Sequence, residues 1–229
     1  MKLAKTQLTL LLFSFFIFNS CSKDGPSYEE LSRLAALKTE EAVALTEGHA
    51  CGNLTEWRID TLYYTHVPIH PSFEEQYRKL RAEAQELHRR ANDAYEGPTL
   101  YSTSMIALPP HFGIRCINGE VKVASAMDLE LPEINTRLSQ LFTEITTFFE
   151  DRPCTDPSKW HRLSIRKDCE LIDVLYTDAP NFAVFGGKVE QYVHLEHAKR
   201  NLEGNAACST SPGLNKRVVC ENGKPKLIY

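Results

Sequence analysis

Cysteine is the residue type in this 229-residue chain with the most chemistry to offer, and there are seven of them, an odd number. Thiols pair in an oxidising compartment, so an odd count leaves one for another purpose. Cys21 fits that role. Before it, Lys2 and Lys5 form a basic start, and residues 8–18 are an apolar run broken only by Thr9 and Ser14. Such a run is too short to cross a bilayer as a helix and right for a secretory leader. Asn19-Ser20-Cys21 then resembles a bacterial lipobox, although Phe18 and Asn19 stand where leucine and a small residue are usual. In that reading residues 1–20 are a lipoprotein-type signal peptide, the Cys21 thiol carries the lipid, and residues 21–26 are a polar tether. An ordinary signal peptide with Cys21 free is the alternative. With Cys21 lipidated, six cysteines remain, enough for three disulfides.

The remaining candidates for chemistry are histidines and carboxylates. His194 and His197 lie one helical turn apart with Glu196 between them, and His66 and His70 flank Pro68. Imidazoles at i and i+3 share a helix face and could hold zinc, but neither zincin spacing occurs. No metal is expected, with His194 and His197 the candidates if one were held. Asp168, Glu170, Asp173 and Asp178 could supply the facing pair a glycosidase needs, but a solvated strand face explains them far better. There is no nucleophile elbow, phosphate-cradling loop, dinucleotide fingerprint or Cys-x-x-Cys pair, so no cofactor and no catalytic residue are expected. Gly186-Gly187 reads as a turn before a helix. Arg78 to Arg90 alternates with Glu83 and Glu86 and reads as a solvated helix face. Loss of the leader takes the formal charge from −4 to −6, which gives no pull toward nucleic acid.

The elements that carry these residues come twice. Cys51 has Trp57 six residues on, and Cys154 has Trp160 six residues on. An apolar helical stripe precedes each: Leu31, Leu34, Ala35, Ala42 and Leu45 after the capping box Ser27–Glu30, and Ile134, Leu138, Leu141, Ile145, Phe148 and Phe149 after Pro132. The repeat sets Trp57 and Trp160 in the core. Tyr64-Thr65-x-x-Pro68 then matches Tyr176-Thr177-x-x-Pro180. A second helix follows, with Phe73, Tyr77, Leu80, Ala84, Leu87 and Ala91 inward in one copy and Val189, Tyr192, Leu195 and Leu202 in the other. Cys116-x-Asn118-Gly119 and Cys220-x-Asn222-Gly223 close the copies. Asn-Gly between β-formers is the strongest short hairpin signal, because both central residues of a type I′ turn need positive φ.

The fold class expected is therefore α+β: two tandem copies of a helix–strand–helix–strand–hairpin unit, with mostly antiparallel sheet and disulfide staples. Copy one is residues 27–125 and copy two is 126–229. The duplication also prunes the cysteine pairings. Cys51 and Cys116 correspond to Cys154 and Cys220, while Cys169 and Cys208 are both missing from copy one. The expected set is Cys51–Cys116, Cys154–Cys220 and Cys169–Cys208.

The order Cys154-x5-Trp160, Cys169, Tyr176-Thr177, Lys188-Val-Glu-x-Tyr192, Cys208-Ser209 and Val218-x-Cys220-Glu-Asn-Gly-Lys-Pro-x-Leu-Ile-Tyr229 resembles a small four-cysteine domain of secreted proteins and lipoproteins of Bacteroidota. The resemblance covers 154–229, with 51–123 as a degenerate copy. Glu170-Leu171-Ile172 stands here where that family has Gly-Gly-Pro. The resemblance implies fold and location and brings no activity with it.

Together these features point to a protein of the bacterial cell envelope, anchored by an N-terminal lipid in the outer membrane on its periplasmic or surface face. It would act as a non-enzymatic binding or structural module for a protein or glycan. Its candidate recognition loops are residues 67–72, 97–111, 179–187 and 209–215. An envelope hydrolase or sugar-acting enzyme with carboxylates or histidines between the copies is one alternative. An inhibitor of secreted proteases or lysozyme is another.

Overall fold

The structure, a computed structural model, describes residues 25–97, 108–204 and 216–228. The leader, Cys21, most of the tether, Cys208, and parts of the loops expected at 97–111 and 209–215 lie outside these residues. Within them the element order is α1 (Tyr28–Ala44), β1 (Arg58–Leu62), β2 (Thr65–Ile69), α2 (Glu74–Asp93), β3 (Ile114–Ile117), β4 (Glu120–Val123), α3 (Leu131–Thr147), β5 (Trp160–Lys167), β6 (Glu170–Thr177), α4 (Phe182–Glu203), β7 (Arg217–Glu221) and β8 (Lys224–Ile228). The fold is α+β, and each copy runs helix, hairpin, helix, hairpin. The single strand expected between the helices is in both copies a whole antiparallel hairpin.

The four hairpins are separate two-stranded antiparallel sheets. Both closing turns take the conformation the Asn-Gly pair allows, with φ of 53° at Asn118 and 83° at Gly119, and 54° at Asn222 and 73° at Gly223. Disulfides join Cys51 to Cys116 and Cys154 to Cys220, spanning 65 and 66 residues. Loop closure of that length is worth roughly 4 kcal/mol for each bridge in the chain-entropy account. A backbone bond repeats beside each bridge. The Cys51 N–H donates to the Gly119 carbonyl at 3.1 Å, and the Cys154 N–H to the Gly223 carbonyl at 2.8 Å. The segment after the first helix of each copy is thus fastened to its closing hairpin by a disulfide and by backbone hydrogen bonding. Cys169 is also disulfide-bonded, and its expected partner Cys208 is outside the described residues.

The chain divides into two compact units that do not coincide with the two sequence copies. One holds α1 and α2. Ser27 caps α1 by accepting the Glu30 N–H at 3.2 Å, and α1 buries Leu31, Ala35 and Ala42. Helix α2 buries Tyr77, Ala84 and Ala91 at seven-residue spacing. Small residues at these positions let two helix axes approach closely. Arg78, Arg89 and Arg90 of α2 are exposed, and Arg89 pairs with Glu86 at 2.7 Å and with Asp93 at 2.6 Å.

The other unit holds all four hairpins with α3 and α4. Its core joins Ile134, Leu138, Leu141 and Ile145 of α3 to Phe185, Tyr192, Leu195 and Ala198 of α4 and to Trp160, Ile165 and Val174 of β5–β6. Phe112 and Ala124, from the first copy, belong to the same cluster. Arg115 of β3 adds a two-point ion pair to Glu133 of α3, at 2.6 and 2.8 Å. The hydrogen bonds from Arg115, and then from Arg137, hold the Glu133 carboxyl down at about 2.

Several expectations are corrected by this packing. Gly186 and Gly187 lie inside α4, which begins at Phe182. Two interior glycines weaken a helix by about 1 kcal/mol each, but Phe182 and Phe185 anchor its first turn against Tyr176, with ring centroids 5.5 and 5.6 Å away. Leu202 is 51% exposed, and Glu196 takes an inward place instead. Residues 67–69 belong to β2 and are buried, so they do not form a recognition loop. The Tyr-Thr-x-x-Pro match also fails in space. Tyr64 sits in the turn of β1–β2, whereas Tyr176 lies near the far end of β6, opposite His161. The hairpin of copy two is three residues longer in each strand than that of copy one, so a fixed offset loses register there.

Candidate functional site

Three elements of the second unit converge on a cleft of about 440 Å³. Helix α3 supplies Asn135, Leu138, Ser139, Phe142 and Thr143, the end of β5 and the turn after it supply Lys167 and Asp168, and α4 supplies Tyr192, Glu196 and Lys199. The volume is that of a small-molecule site.

The turn is placed with care. Asp168 and Cys169 both have positive φ, 48° and 72°, a costly choice for residues other than glycine. The disulfide at Cys169 holds one side of it. On the other side, Lys199 donates to Asp168 Oδ1 at 2.8 Å. Tyr192, 1% exposed, donates its hydroxyl proton to the Arg166 carbonyl at 2.8 Å and locks the end of β5 onto α4. The hydrogen bond from Lys199 keeps the Asp168 carboxyl below its usual range, and that same bond pushes the Lys199 ammonium up. Burial, followed by the nearby charges of Glu196 and Asp168, drives the Tyr192 hydroxyl well above its ordinary range. Lys167 Nζ stands over the Phe142 ring, 4.1 Å from its centroid.

Glu196 is the exception in this set. It is 6% exposed, and its side chain receives no hydrogen bond from any described residue. Only its backbone carbonyl is engaged, by Arg200 Nε at 3.3 Å. Burial raises the pKa of its carboxyl, opposed by the charges of Lys199 and Arg200 and aided by those of Asp168 and Glu203. Burial costs a carboxylate part of its hydration, and here the charges of Lys199 and Arg200 offset part of that cost. Glu196 lines the cleft.

The histidines of the sequence do not converge. His194 and His197 are exposed on α4, and His197 Nδ1 meets the Asn201 amide at 3.4 Å. His66 Nε2 meets the Pro109 carbonyl at 2.9 Å and packs edge-on to His111. Burial, then the charge of His66, lowers the His111 pKa. His70 bonds Ser72 Oγ at 2.8 Å and Glu56 at 3.2 Å. Among the described residues no group of three or more His, Cys, Asp or Glu side chains is placed to hold a metal ion.

Of the acids read from the sequence, Asp168, Glu170 and Asp178 are exposed, but Asp173 is not part of a solvated face. Its side chain is 10% exposed, bonded to Lys216 at 2.6 Å and Ser164 at 2.6 Å. Burial raises its pKa, and those two bonds outweigh that and lower it overall. Trp160 is a core residue at 7% exposure. Trp57 is half-buried among His49, His70 and Phe73, with centroids 4.9 to 5.9 Å away.

Glu196 is the cleft residue that spacing alone does not single out. It lies one turn after Tyr192 on the inward stripe of α4, and an acid on an apolar stripe is the signal that could have found it. The chain matches no family model, and no curated protein and no solved structure is significantly similar to it.

Proposed function

We propose that this protein is a lipid-anchored module of a bacterial cell envelope that binds a small ligand or a ligand side chain without transforming it, in the cleft around Glu196. The observation that carries the reading is the cleft itself, lined by the largely buried side chain of Glu196, which receives no hydrogen bond from any described residue. A largely buried acid that lines open space fits recognition better than packing. The location rests on the leader and Cys21, on disulfides at Cys51–Cys116 and Cys154–Cys220 that require an oxidising compartment, and on the resemblance to the four-cysteine envelope domain. Pairing of Cys169 with Cys208 completes the set of staples and fixes the turn that carries Asp168.

A hydrolase is the second reading, favoured by the raised pKa of Glu196, which suits a general acid. Against it, the nearest carboxylate in the cleft, Asp168, is already held in an ion pair by Lys199, so it is poorly placed to serve as a nucleophile or base.

Two measurements test the proposal. In the native host the full chain partitions with membranes and the Cys21→Ser variant does not; equal partitioning overturns the lipid anchor. A thermal-shift screen of residues 22–229 with small amines, acids, sugars and amino acids gives at least one stabilising compound whose effect is lost in Glu196→Gln. Turnover of a ligand by the wild type and not by Glu196→Gln establishes the hydrolase instead.

A further inference from the structure

Outside the cleft, one chain of hydrogen bonds runs in the order that nucleophilic catalysis uses. We propose that Ser72 is a nucleophile activated by His70, with Glu56 holding the imidazole, and that this group hydrolyses carboxylic esters of short acyl chains. The proposal uses no residue of the Glu196 cleft and does not depend on it.

The fold brings the three residues together from separate segments. The β1–β2 ladder pairs Arg58 with Ile69, so Glu56 and His70 meet just beyond its end. His70 Nε2 lies 3.2 Å from Glu56 Oε2, and His70 Nδ1 lies 2.8 Å from Ser72 Oγ. The tautomer follows from the partners. The Ser72 backbone N–H, which can only donate, meets Nδ1 at 3.2 Å, so Nδ1 carries the lone pair and accepts the Ser72 hydroxyl. The proton on Nε2 is then left to point at Glu56. Asn53 Nδ2 donates to the other Glu56 oxygen at 2.7 Å. The bonds from Asn53 and then His70 keep that carboxyl below its usual range. The Trp57 ring packs on the imidazole, with centroids 4.9 Å apart.

A turn alone does not need this chain. The connection after β2 is already closed by the Phe73 N–H donating to the His70 carbonyl at 3.2 Å. What the side chains add is a serine hydroxyl bonded to the basic nitrogen of an imidazole whose other nitrogen faces a carboxylate, the arrangement that activates a serine. Ser72 is exposed, so an ester carbonyl reaches its Oγ, and the half-buried Trp57 and Phe73 give a short acyl group an apolar surface. Ser72 Oγ bonds to the carbonyl carbon and its proton passes to His70 Nδ1, while Glu56 stabilises the imidazolium at Nε2. The bond from the acyl carbon to the alcohol oxygen breaks, and the alcohol leaves with that proton. Water then attacks the acyl carbon and gives a proton to Nδ1; the carboxylic acid leaves and the proton returns to Ser72 Oγ. General-base assistance of this kind is worth about 10²- to 10⁴-fold over an unassisted serine.

The experiment is labelling of the oxidised 22–229 chain with a fluorophosphonate, which phosphonylates an activated serine Oγ with loss of fluoride, mapped by peptide mass and paired with hydrolysis of p-nitrophenyl acetate. Ser72 should label about tenfold or more faster than any other serine, and ester turnover should fall about tenfold or more in Ser72→Ala and in His70→Gln. Glu56 acts through the imidazole as a positioning residue, so Glu56→Gln lowers kcat and leaves KM unchanged. The peptide map needs only the wild type, so it decides the matter even where His70→Gln does not fold. Labelling of Ser72 no faster than that of other serines, or equal turnover in Ser72→Ala, overturns the proposal. A single acylation of Ser72 with no turnover after it overturns the hydrolysis.

Discussion

Two acids of the second unit pull stability in opposite directions with pH. Glu133 is held at about 2 by Arg115 and Arg137, below its unfolded value of 4.5. Its contribution is complete above about pH 4.5 and is lost as pH falls toward 2. Glu196 is raised by burial, so the native state keeps a proton that the unfolded chain has released. Stability therefore declines as pH rises from the unfolded value toward the raised native one, and levels off above it. Urea melts from pH 3 to 8 check both statements. Glu196→Gln should flatten the decline and leave the protein at least as stable as wild type at pH 8, whereas Glu133→Gln should remove only the loss on the acid side. A Glu196→Gln protein less stable than wild type at pH 8 would mean that the carboxylate has a partner in the fold. None of this was visible from residue type alone. Glu196 looked like the spacer between two histidines, and only the burial of its neighbours Tyr192, Leu195 and Ala198 shows which way it faces.

At the scale of elements, the closing hairpins were the most legible part of the chain, because Asn-Gly fixes a local conformation without help from distant residues. Gly223 has φ of 73°, and its carbonyl accepts the Cys154 N–H. Gly223→Ala should cost about 1 kcal/mol from the left-handed backbone, read as a lower urea midpoint with the disulfide intact. Removing the Cys154–Cys220 bridge with a double alanine variant should cost more, up to roughly 4 kcal/mol. If the glycine change proves the more costly, the hydrogen-bonded turn outweighs the staple. The inner hairpins were less legible. β5–β6 turns on Asp168-Cys169 rather than glycine, and β1–β2 carries Pro68 in a strand, a position open to proline only at a sheet edge. Two-stranded sheets are all edge, which is why the proline is tolerated and why the sequence read it as loop.

Across the whole molecule, the sequence divides near residue 125 but the packing does not. Phe112 and Ala124 of the first copy share a core with α3 and α4, and Arg115 is tied to Glu133. Cooperative opening should follow the compact units and not the copies. Native-state hydrogen exchange should therefore show amides of β3 and β4 exchanging with the same opening free energy as those of α3. Exchange of β3–β4 in step with α1 and α2 would restore the copy as the folding unit.

What the sequence determined by itself is whatever is encoded over a few residues or by equivalence between copies: the helix stripes, the Asn-Gly turns, and the pairing of Cys51 with Cys116 and Cys154 with Cys220. What only the tertiary structure decided is which residues from distant elements share a volume. That settled the core spanning the copies, the burial of Asp173 against Lys216, and the cleft that Glu196 lines. The physical reason is that hydrogen-bond geometry and turn conformation are local, whereas burial depends on every element that packs against a side chain, and no spacing rule carries that sum.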